Sequence, residues 1–158
     1  MRGFRIFMIY WMPVVLWAAV IFAFSTSLGS GSNTSRILGP LLNFLFPGVS
    51  PESIAGLRFA IRKVAHVCEY AGLAVLIWRA IVKPYGFQRF WNWSHAKTAF
   101  LLTAFYAATD EFHQLFVPGR VGTVWDVALD SLGGLLGIWI VWFWWRYRGF
   151  SERVQERP

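Results

Sequence analysis

Four apolar stretches run from about Phe7 to Phe24, Val64 to Val82, Thr98 to Val117 and Val124 to Trp145. Each is close to the roughly 20 residues that a helix needs to cross the hydrocarbon core of a bilayer. Helix is the expected state, because an open strand edge finds no hydrogen-bond partners in lipid. Composition agrees: the 158 residues are 56% hydrophobic and 15% charged, whereas a soluble domain is about a quarter charged. The expectation is an all-α polytopic membrane bundle of four transmembrane helices. It forms a single domain over residues 1–145, followed by a basic cytoplasmic tail over residues 146–158.

The first stretch follows Arg2 and Arg5, as a signal peptide would. Its apolar run of about 18 residues is long for the 7–15 of such a segment, so it reads as a retained membrane helix, with Pro13 as a kink. With the N-terminus in the cytoplasm, ten of the 15 Lys and Arg residues fall inside, Lys83, Arg89 and Arg153 among them. Arg36, Arg58, Arg62, Lys63 and Arg120 fall outside. That asymmetry puts both termini inside. The net charge of +7 gathers at the ends of apolar runs rather than on one basic face. Nucleic acid is therefore not the expected partner; anionic lipid head groups are.

The first outer loop opens with a flexible Ser/Gly stretch, Ser25 to Ser35. The apolar piece from Ile37 to Phe46, interrupted by Pro40, is too short to span. It reads as a short re-entrant or interfacial segment, or as a loop packed over the bundle. Ser50-Pro51-Glu52 has the form of a helix start, with a Ser cap, Pro at the first position and an acid in the first turn. A helix unbroken from there to Val82 would be about 48 Å long, so it either projects outward or breaks before Arg62. Cys68 is the one cysteine, which rules out an intramolecular disulfide and reads as a buried, inert thiol.

Five of the eight acidic residues, Glu69, Asp110, Glu111, Asp126 and Asp130, lie within or at the edges of the apolar stretches. Ionisable groups in lipid cost roughly 2.5–3.5 kcal/mol each on insertion scales, which marks them as candidates for function. On the second stretch Arg62, Lys63, His66, Glu69 and Tyr70 share an arc of about 120°. On the third, Thr103, Tyr106, Asp110 and Gln114 form a stripe flanked by Glu111 and His113. On the fourth, Asp126 and Asp130 continue into Gly133, Gly134 and Gly137, and the pair Gly133/Gly137 has the spacing that lets helix backbones approach. Counting inward at 1.5 Å per residue, Glu69, Asp110 and Asp130 all lie about 9–10 Å below the outer surface. One outward-opening cavity explains that coincidence.

Plainer roles stand beside these. Asp126 follows Thr123 at capping-box spacing. His66 can pair with Glu69 as a structural contact. Arg62 can snorkel to the interface. Arg120, in Pro118-Gly119-Arg120, can be an ordinary turn residue.

The segments Lys63-x-x-His66-x-x-Glu69-Tyr70, Asp110-Glu111-x-x-Gln114-x-Phe116-x-Pro118-Gly119-Arg120 and Asp126-x-x-x-Asp130-x-x-Gly133-x-x-x-Gly137 resemble the VanZ-like family of small bacterial membrane proteins. The resemblance implies a multi-pass protein of the bacterial cytoplasmic membrane. It also implies a link to low-level resistance to the lipoglycopeptide teicoplanin. Asp130 stands where family members are expected to vary between Asn and Asp.

Three classes of function follow. A binder would hold an outer-leaflet amphiphile, a lipid-linked envelope precursor or a lipoglycopeptide, against these side chains. An enzyme would use Lys63, His66, Glu69, Asp110, Glu111 and Asp130 as its catalytic set, with Tyr70, Gln114, Arg120 and Asp126 binding substrate. A divalent cation on the carboxylates is its candidate cofactor. Alternatively, His66 and Glu69 would form an acid–base pair. No nucleophile motif and no paired-His zinc spacing accompanies them. A permease would relay protons along the carboxylates, but the cytoplasmic half offers no matching polar path.

Overall fold

The computed structural model describes residues 2–82, 84 and 91–155. Lys83, Arg89 and the last three residues of the expected tail, 156–158, lie outside them. Every described element is helical, in five helices. α1 runs through Arg2–Ile6, a π-helical turn at Phe7–Trp11, and Met12–Ser25. A 3₁₀ turn at Ser27–Gly29 leads into α2, Gly31–Leu45. α3 is Pro51–Val82, α4 is Trp93–Gln114 and α5 is Val124–Gln155.

Pro13 sits at the start of the last part of α1. It has no N–H to offer the preceding turn and its ring crowds the carbonyl four residues back. The wider π turn before it relieves both problems. The expected kink is thus taken up as a π turn.

Three helices are long and apolar enough to cross a membrane: Gly3–Ser25, Pro51–Val82 and Val124–Tyr147. The expected span over 98–117 is helical as α4 and, at 22 residues, has the length to cross. It is not among the three. Lys97, Asp110, Glu111 and His113 dilute its apolar content.

Two readings of the sequence are corrected. The Ser/Gly stretch is not a flexible lead-in: its latter part already belongs to the 3₁₀ turn and α2. Short polar side chains tie it down. Asn33 Nδ2 donates to the Ser27 carbonyl (2.9 Å), Ser30 Oγ accepts from the Asn33 N–H (3.4 Å), and Thr34 and Ser35 donate to the Ser30 and Gly31 carbonyls. α2 then runs through Pro40. Secondly, Cys68 is exposed rather than buried, because it lies on the face of α3 turned away from the other helices. α5 continues as helix to Gln155, so the expected tail begins within it. The Ser50 cap does form, accepting from the Ser53 N–H at 3.3 Å, and α3 is unbroken over 32 residues.

α3 packs most closely against α5, and α4 covers both. The two glycines on α5 explain the closeness. A Cβ on Gly133 would lie 3.0 Å from Val67 Cα, and one on Gly137 would lie 3.0 Å from Ala71 Cα. Gly134 faces the other way, toward Thr103 of α4. The remaining core is apolar: Leu73, Ala74, Ile77, Ala99, Ile138 and Val141. At one end of the bundle Trp78 stacks on Trp91 with ring centres 5.7 Å apart, and Trp93 and Trp145 pack around that pair.

Candidate functional site

α3 and α5 run in the same direction, and their polar residues pair rung by rung toward the glycine seam. Lys63 forms an ion pair with Asp126. One turn further in, His66 Nδ1 lies 3.5 Å from Asp130 Oδ1. Val67 meets Gly133 next, then Ala71 meets Gly137. The glycines draw the backbones together and so hold the His66–Asp130 rung beside the seam.

α4 supplies the third wall. Asp110, Glu111 and Gln114 are all buried, at 3–4% exposure. Gln114 Nε2 donates to Asp110 Oδ2 at 3.1 Å and to Glu111 Oε1 at 3.0 Å. That single amide bridges the two carboxylates. The other Glu111 oxygen accepts from the backbone N–H of Thr123 at 3.1 Å. This needs the turn after α4 to press against α4 itself. Gly122 permits it, because a Cβ there would collide with the Glu111 carbonyl.

The capping box at the start of α5 is half made. Thr123 Oγ1 accepts from the Asp126 N–H at 3.1 Å, but the Asp126 carboxylate goes to Lys63 and the Thr123 N–H to Glu111 instead. The cap serves as a joint between three helices.

Arg120 is set by a turn over residues 117–120. Its N–H donates to the Val117 carbonyl at 3.1 Å, and Gly119 takes φ +79°, the left-handed conformation that the third residue of a type II turn requires. The guanidinium then reaches back to the end of α1. Nη2 donates to the Phe24 and Thr26 carbonyls, and Nε donates to Thr26 at 3.4 Å. It thereby ties the turn after α4 to the carbonyls at the end of α1. Burial lowers this guanidinium from its ordinary value, and the neighbouring Arg62 pushes it the same way.

Among the described residues, the Tyr70 hydroxyl, Asp110 Oδ1 and both Asp130 oxygens are buried without a hydrogen bond. Tyr70 and Asp130 are 0% and 1% exposed. Glu69 is only partly buried; it acts electrostatically on His66 and Asp130, and its backbone carbonyl accepts from Trp17 Nε1 at 2.9 Å. Tyr106, on the same stripe as Asp110, donates to the Ala18 carbonyl at 2.6 Å and ties α4 to α1.

The expected cation set of five carboxylates is not what comes together. One ligand atom each from His66, Glu111 and Asp130 lie within 4.8 Å of one another. Asp126 is drawn off by Lys63, and Glu69 is not in that trio. The structural contact imagined for His66 with Glu69 is made with Asp130 instead. Two partners were missed: Lys63 for Asp126, and the Thr123 N–H for Glu111. The first had a signal in the sequence. Lys63/His66 and Asp126/Asp130 have nearly matching spacings, and two parallel helices in close contact bring such spacings side by side.

Membrane-crossing helices around a buried cluster of carboxylates and an imidazole define a class: helical membrane proteins with an ionisable site inside the bundle. Within that class, the chain belongs to the VanZ/LLP1 family, whose pattern it matches over residues 7–145. No curated protein and no solved structure matches it.

Proposed function

We propose that the chain is a multi-pass protein of the bacterial cytoplasmic membrane, with both termini inside, that binds an outer-leaflet amphiphile in the pocket between α3, α4 and α5 and so contributes to lipoglycopeptide resistance. α4 is the fourth span in this reading. Its charged residues sit near its ends or face the bundle, so the side it turns to lipid stays apolar, with Leu101, Leu102, Phe105 and Phe112 exposed.

The carrying observation is the set of buried oxygens without a hydrogen bond on Tyr70, Asp110 and Asp130, the last meeting only His66 at 3.5 Å. A buried polar group left unpaired costs about 1–3 kcal/mol. Hydrogen-bond donors on a ligand, such as the amines and amides of a lipoglycopeptide or envelope precursor, would satisfy these oxygens. A proton relay has less support, because beyond Tyr70 the core is apolar apart from Thr103.

The test is expression in a susceptible bacterium with teicoplanin tolerance as the readout. Tolerance should rise with the parent chain. It should fall to the empty-vector level with Asp110→Asn and Asp130→Asn at equal amounts in the membrane. Full tolerance with both variants would refute the pocket.

A second reading, a metal-dependent enzyme acting on a lipid-linked envelope precursor, is favoured by the His66–Glu111–Asp130 trio. One imidazole and two carboxylates suit zinc or manganese. An ion held there would act as a Lewis acid or activate water. Metal analysis of the purified chain separates the readings. Under the enzyme reading, bound metal is lost in His66→Ala and Asp130→Asn and kept in Lys63→Gln; under the binder reading the parent carries none.

A further inference from the structure

Outside the carboxylate cluster, α2 and the outer half of α3 enclose a cleft of about 140 Å³, lined by Arg58, Arg62, Thr34, Ser35, Leu38 and Phe59. That is several times the roughly 30 Å³ one water occupies in the liquid. The ion pairs of the described residues are Lys63–Asp126 and His66–Asp130, so neither arginine of the cleft has a carboxylate. Arg58 and Arg62 stand one helical turn apart on α3. Like charges held together and partly out of water repel, and an anion between them relieves that cost.

We propose that this cleft binds the phosphate group of an anionic ligand. Arg58 and Arg62 are its donors. The Thr34 and Ser35 hydroxyl protons are already given to the Ser30 and Gly31 carbonyls, so the guanidinium groups carry the recognition. α2 begins at Gly31, on the wall of the cleft, and adds the positive end of its dipole. A guanidinium from each of two turns, with a helix start beside them, surrounds a tetrahedral anion from several sides. Leu38 and Phe59 form an apolar wall for the carbon attached to a phosphate ester. The site stands whether or not the carboxylate pocket binds an amphiphile.

Two probes distinguish the sources of the phosphate. The purified full chain is placed in nanodiscs of phosphatidylcholine with one fifth phosphatidylglycerol, and retained lipid is counted by native mass spectrometry. Separately, inorganic phosphate is titrated in detergent and followed by phosphorus NMR line broadening. Retention of phosphatidylglycerol alone identifies a lipid head group; broadening as well identifies a site open to free phosphate. In either case Arg58→Gln and Arg62→Gln each weaken binding about tenfold, the loss of about 1.4 kcal/mol from one charge-assisted bond. Arg36→Gln, an exposed arginine of α2 outside the cleft lining, changes nothing. Ala55→Phe fills the cleft with every charge in place and carries the same test if an arginine variant fails to accumulate. Equal loss in Arg36→Gln, undiminished binding in Arg58→Gln and Arg62→Gln, or no binding of either probe by the parent overturns the proposal.

Discussion

At Asp130, two buried carboxylate oxygens lack hydrogen bonds while His66 stands 3.5 Å away. Desolvating a carboxylate that receives no hydrogen bond costs more than desolvating an uncharged amide of the same shape. Asp130→Asn should therefore melt no lower than the parent in detergent, while pocket function is lost; this is the trade-off between stability and activity expected of a functional site. A fall in melting temperature would make Asp130 structural. The Lys63–Asp126 pair lies at the edge, with side chains 31% and 21% exposed. A double-mutant cycle with Lys63→Gln and Asp126→Asn should give a coupling of about 1 kcal/mol or less. The matching spacings of Lys63/His66 and Asp126/Asp130 hint at the two pairings but do not fix them. The sequence marks all four residues as costly in lipid, and only the contact of two distant segments decides which acid meets which base.

The ladder between α3 and α5 governs at the scale of elements. Gly137→Ala puts a methyl group against the Ala71 backbone, where nothing flexible can yield. Overpacking of this kind costs typically 1–3 kcal/mol. Gly56, exposed near the start of α3, meets nothing within 4 Å, and Gly56→Ala should stabilise by about 0.5–1 kcal/mol. Thermal unfolding of the two variants in one detergent checks the contrast; equal effects would mean that the seam is not tightly packed. Arg120→Gln should detach the α4–α5 turn from the end of α1 and speed hydrogen exchange at Phe24 to Thr26. Unchanged exchange there would show the tie to be unimportant. The helices that pack on one another were legible, since the 3.6-residue period and the Gly133/Gly137 spacing specify a seam. α2 was not, because Ser, Asn and Gly are poor helix formers and their hydrogen bonds to nearby backbone become visible only once the turn exists.

For the molecule as a whole, the sequence conveyed helicity and a membrane setting, since both follow from apolar run length. It overstated what composition alone carries for α4, whose acids face inward. Burial direction is a property of the assembled bundle, and Cys68 illustrates the same limit: an apolar neighbourhood in the chain does not say whether neighbours in space are protein or lipid. Reporter fusions at both ends should place the termini in the cytoplasm, and a periplasmic signal from either would overturn the four-span arrangement. In intact bilayers Cys68 should resist a charged maleimide and react once detergent replaces the lipid, with the fold intact. Prompt labelling in the bilayer would put that face of α3 in water. The side chain of Cys68 points outward while its neighbour in sequence, Glu69, lies beside the cluster. The native chain thus carries one sulfhydryl anchor for a spin or fluorine probe, adjacent to the buried carboxylates yet not part of them, and spectroscopy can test for ligand binding with every natural residue still in place.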